Sequence, residues 1–142
     1  MSAFWQKYLT VWCVGVVLFG IGLYGGGYAA TDGFNSFFYE LLNSNENPLA
    51  YDSYMRLAMG LIGAITIGWG LTFLVLFRAA FQLEGAAATK TWKQVIVAMT
   101  IWVVIDNFLS VQTGFALNAV SNSVFYILAL IPIFKSGVLR GK

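Results

Sequence analysis

Residues 8–30 carry no formal charge. At a rise of about 1.5 Å per residue, such a run crosses the roughly 30 Å hydrocarbon core of a bilayer as one helix. Three further apolar runs follow, at about residues 54–77, 92–113 and 115–134, interrupted only by Arg56, Lys93 and Asp106. A lipid interior offers the backbone no water, so such runs fold as helices that satisfy their own amides. The sequence therefore predicts an all-α integral membrane protein. Residues 1–142 form a single membrane domain, a bundle of four transmembrane helices in two hairpins. Composition agrees, with 59% of residues hydrophobic and 10% charged, against about a quarter charged in soluble domains. A cleaved leader has a shorter apolar region followed by a soluble domain, so the first run is expected to remain as a helix.

Charge placement gives the orientation. In a four-span arrangement Lys7, Arg78, Lys90, Lys93, Lys135, Arg140 and Lys142 fall on one side, and Arg56 alone falls on the other. By the positive-inside rule both termini are expected in the cytoplasm, and the protein is expected to be integral to a bacterial inner membrane. The longest loop, residues 31–53, then faces outward, and its charges are Asp32, Glu40, Glu46 and Asp52, all acidic. Within it Phe34, Phe37, Phe38, Leu41 and Leu42 recur at helical spacing, while Asn35, Ser36, Tyr39, Glu40 and Asn43 fill the other positions. The pattern predicts an amphipathic helix at about residues 33–43, capped by Thr31 or Asp32 and stopped by Asn45, Glu46, Asn47 and Pro48. It is expected to lie in the membrane interface, or else to form a lid or a docking surface. Residues 78–93 read as a short surface loop, Trp5 and Trp92 as interfacial anchors, and Pro132 as a bend or end of the fourth helix.

Small residues mark candidate packing faces. Gly22 and Gly26 are spaced for close helix approach, although three consecutive glycines from Gly25 to Gly27 also weaken a helix end. On the second span Gly60, Ala64 and Gly68 form a stripe reinforced by Gly63, and Arg56 lies one turn before it on the same face.

Several function classes are excluded or disfavoured. With no histidine, histidine-ligated haem is impossible and the commonest metal ligand and general base are missing. The single cysteine, Cys13, permits neither an intramolecular disulfide nor a dithiol redox pair. A net charge of +2, with basic residues scattered between apolar runs, gives no nucleic-acid signature. The first span contains no acid, unlike that of the four-helix multidrug exporters, and the third lacks the phenylalanine-rich polar pattern of dual-topology fluoride channels. No cofactor is predicted. The aromatic residues, 17% of the chain and including Trp12, Trp69 and Trp102 within spans, read as packing, or else as a groove for a bound lipid or pigment.

The third span holds the exception to this apolar pattern, the pair Asp106 and Asn107, with Ser110 one turn on. Asn118 and Asn122, four apart on the fourth span, share a face at similar depth. A carboxylate at mid-helix costs about 2.5–3.5 kcal/mol on insertion scales and needs a partner. Arg56, the lone cation on that side, is the expected one. The candidate cluster is thus Arg56, Asp106, Asn107, Ser110, Asn118 and Asn122, either structural or a ligand or ion site. It has no nucleophile paired with a base, so no enzyme is expected. The foremost expectation is an accessory or structural subunit, associated with membrane lipid and with other membrane subunits or copies of itself. The alternatives are a small-solute or ion transport unit with Asp106 as coupling residue, and a module binding lipid or another hydrophobic ligand.

Overall fold

The computed structural model describes residues 1–43 and 51–140. Among these residues the chain forms α1 (Ala3–Gly25), α2 (Gly33–Leu42), α3 (Ser53–Phe81), α4 (Gly85–Gln112) and α5 (Ala116–Lys135), then a 3-10 turn, Val138–Arg140. Helices α1, α3, α4 and α5 are long and apolar enough to cross a membrane. The stop expected at residues 45–48 and the cation Lys142 lie outside the described residues.

The helix ends have local causes. Helix α1 sits nearer the N-terminus than the uncharged run, taking in Lys7 and stopping at Gly25. Beyond it the amides of Gly26, Gly27 and Tyr28 bond the carbonyls of Leu23, Tyr24 and Gly25 in tight turns, where glycines no longer sustain an α-helix. Asp52 caps α3 by accepting the Met55 amide at 2.8 Å. The loop expected over residues 78–93 shrinks to residues 82–84, since α3 runs on to Phe81 and three alanines carry α4 back to Gly85. Between α4 and α5 the reversal needs Gly114, whose φ of 86° is one that side chains disfavour. There the Phe115 amide reaches the Ser110 carbonyl at 2.7 Å. Pro132 lies inside α5, which ends three residues later at Lys135.

Helix α1 packs antiparallel on α3, and α4 on α5; α1 also touches α5, and α3 touches α4. The α1–α3 contact is backbone to backbone. A Cβ on Gly20 would lie 2.8 Å from the Ile67 nitrogen, and one on Gly63 would collide with the backbone of Tyr24. Gly63 is therefore a packing residue of the α1–α3 contact. Ala64 and Gly68 are not part of this contact: both are exposed, and a Cβ on Gly68 meets nothing within 4 Å, whereas half-buried Gly60 lies near the Gly27 turn just past α1, its Cα 3.6 Å from where a Gly27 Cβ would stand.

The apolar core lies toward the end that holds the start of α1 and α4 and the end of α3 and α5. Leu9, Trp12 and Cys13 meet Phe73 and Phe77 there, with Trp92 and Met99 from α4 and Ile133 from α5. Trp92 is only 1% exposed and packs tilted against Phe77 with ring centres 5.4 Å apart, so it is a core residue and not the interfacial anchor its position suggested. Trp69 bridges Trp12 at 6.2 Å and Trp102 at 4.8 Å, and the Trp12 indole donates to the Phe125 carbonyl at 3.2 Å. These rings fill space against one another, which is the packing role.

Candidate functional site

The polar residues of α4 and α5 meet along one seam. Because the helices are antiparallel, each step up α4 is matched by a step down α5. Ser110 accepts from the Asn118 amide at 2.8 Å and donates to the Asp106 carbonyl one turn below, also at 2.8 Å. Asn122 donates to the Asp106 carboxylate. Asn107 donates to the Ser123 hydroxyl at 2.9 Å, and Ser123 in turn donates to the Ala119 carbonyl at 2.8 Å. Deeper still, Thr100 donates to the Ile96 carbonyl and meets the Tyr126 hydroxyl at 2.5 Å. Five of the six expected cluster residues thus converge, and Ser123, Thr100 and Tyr126 extend the set. The sequence held a signal for Ser123, which follows Asn122 as Asn107 follows Asp106.

Arg56 does not join them. Its guanidinium forms an ion pair with Asp32 at 3.1 Å and lies over the Tyr51 ring, 4.9 Å from its centre. Asp32 is the N-cap residue of α2 but makes no side-chain cap bond, its carboxylate being turned to Arg56. Burial and the charge of Asp32 push the Tyr51 phenol above its usual range, against a hydrogen bond from Ser36 and the charge of Arg56. This junction ties α2 to the start of α3. Among the described residues Asp106 has no ion-pair partner.

Helix α2 sits over the C-terminal end of α1. Asn35, on its polar side, is 3% exposed, and its amide donates to the Gly22 carbonyl at 2.9 Å and the Leu23 carbonyl at 3.3 Å. Thr31 adds a bond to the Gly25 carbonyl at 2.7 Å. These are carbonyls of the last helical turn, where in-helix partners run out. Gly22 and Gly26 make room for this: a Cβ on Gly22 would lie 2.6 Å from Phe34, and one on Gly26 would lie 2.5 Å from Asn35. Their small size serves the docking of α2, not contact between two long helices. Of the polar side of α2, Asn35 is buried and Ser36 and Tyr39 are half-buried, while Glu40 stays exposed, as do Phe37 and Leu41. Phe34 and Phe38 pack over Phe19 at 6.1 and 5.3 Å, and Tyr39 over Phe115 at 5.6 Å. Leu42 is half-buried at the helix end.

The seam offers hydroxyls, amides and one carboxylate, suited to holding helices in register. Among the described residues no group of three or more metal-ligating side chains gathers. No family model, no curated protein and no solved structure matches this chain.

Proposed function

We propose that this chain is a non-enzymatic four-helix membrane protein, a structural or accessory subunit of a larger membrane complex or of its own oligomer. In this reading its long helices insert as two hairpins in a bacterial inner membrane with both termini cytoplasmic. Helix α2 lies in the outer interface, with Phe37 and Leu41 toward the acyl chains. The observation that carries the reading is the α4–α5 seam, where Ser110 with Asn118, Asp106 with Asn122, Asn107 with Ser123 and Thr100 with Tyr126 bond side chain to side chain across the helix pair. Such bonds contribute about 0.6 kcal/mol each, at most about 1.7, within membrane bundles. The exposed pair Ala64 and Gly68 supports it further, since small residues one turn apart let a second helix come close. Extraction in mild detergent followed by a mass measurement tests it. The expected result is a particle well above the 15.6 kDa of one chain; a lone chain overturns it.

A second reading, a transport unit with Asp106 as coupling residue, is favoured by one observation. Asp106 has no ion-pair partner among the described residues, and beside it the Asn107 carbonyl oxygen is buried without a donor. Ionisable groups within spans often mark proton or ion paths. Flux that depends on Asp106 distinguishes the two readings.

A further inference from the structure

An open groove of about 930 Å³ runs along α4 at the basic end of the bundle, far from the polar seam. Lys90 and Lys93 line it toward the start of α4, and Val97 and Ile101 continue the same helical face toward the helix middle. From Lys90 to Ile101 the face extends about 16 Å along the helix. The opposite wall comes from the C-terminal 3-10 turn, which supplies Leu139 and Arg140. That turn is held in place by Thr89, whose hydroxyl donates to the Val138 carbonyl at 2.9 Å. Lys90, Lys93 and Arg140 are exposed and have no ion-pair partner among the described residues.

We propose that this groove binds one anionic phospholipid, its phosphodiester held by Lys90, Lys93 and Arg140 and the start of an acyl chain lying on Val97, Ile101 and Leu139. Two features carry the assignment. The groove's polarity follows the order of a phospholipid, cations at the helix end and apolar wall toward the helix middle. The three cations also converge from two separate elements on one concavity, where a phosphate completes the charge. The proposal rests on the reading that these helices span a membrane.

The test places the whole protein in nanodiscs of phosphatidylglycerol and phosphatidylcholine in equal amounts and identifies retained lipid by native mass spectrometry. Phosphatidylglycerol is expected to be retained in preference, and each of K90Q, K93Q and R140Q to weaken it about five-fold. Val97→Trp, which keeps every charge and fills the apolar wall, is expected to lower retention as well. Lys7→Gln and Lys135→Gln, cations outside the groove, are expected to leave it unchanged. Excess glycerol 3-phosphate or inorganic phosphate is expected not to displace the lipid. Equal retention of both lipids, or equal losses from groove and control variants, overturns the proposal; displacement by free phosphate assigns the site to a soluble anion and overturns it too. Because assembly mass is read in the same spectra, such a failure is separate from failure of the subunit reading.

Discussion

Asp106 and Arg56 are the two residues whose partners matter most. Asp106 takes the amide of Asn122, whereas Arg56 is held by Asp32 on another element. A double-mutant cycle on unfolding in detergent is therefore expected to give a coupling of about 1 kcal/mol between Asp106 and Asn122, and close to zero between Asp106 and Arg56. The reverse ranking would put Arg56 back in the cluster. The seam itself was legible because i,i+4 spacing puts Asp106 with Ser110, and Asn118 with Asn122, on single helix faces. The partner of Arg56 was not, because an arginine side chain near a helix start can turn inward or toward the loop, and Asp32 approaches through the loop. Asn35 was legible only as part of a polar face; that it is buried follows from the carbonyl ends of α1, which need donors in space.

At the scale of elements, α3 offers more than one row of small residues, and packing chooses among them. Gly63 and Gly70 meet α1, Gly60 lies by the Gly27 turn past its end, and Ala64 and Gly68 stay open. Leucine at Gly63 must push aside the Tyr24 backbone, so Gly63→Leu is expected to destabilise the protein by about 1–3 kcal/mol or more. Gly68→Leu, with nothing within 4 Å of its Cβ, is expected to change unfolding by about 0.5 kcal/mol or less and to reduce the assembly mass in mild detergent. A large loss of stability at Gly68, or none at Gly63, would reverse the assignment of the two faces. Helix periodicity told which residues share a row but not which row meets α1. The helix existing at Gly33–Leu42 and the four long helices were readable from apolar pattern alone, whereas their ends depended on glycine turns and on the alanines that prolong α4.

Taken as a whole, the molecule is divided along its length. One end gathers Lys7, Arg78, Lys90, Lys93, Lys135 and Arg140 around the aromatic core, and the other holds Asp32, Glu40 and Asp52 with Arg56. Large apolar side chains such as Ile65, Val104 and Phe108 remain exposed along the helices, a surface suited to lipid or to neighbouring subunits. In the proposed role the polar seam locks α4 to α5, so that these outer faces keep a fixed shape for a partner. Proton flux into sealed liposomes tests this most directly, because a structural seam and a proton path place opposite demands on Asp106. Vesicles carrying the wild type or Asp106→Asn, with sealing verified by adding a protonophore, are expected to acidify no faster than protein-free vesicles. A wild-type flux above that baseline, abolished by Asp106→Asn, would contradict the structural account.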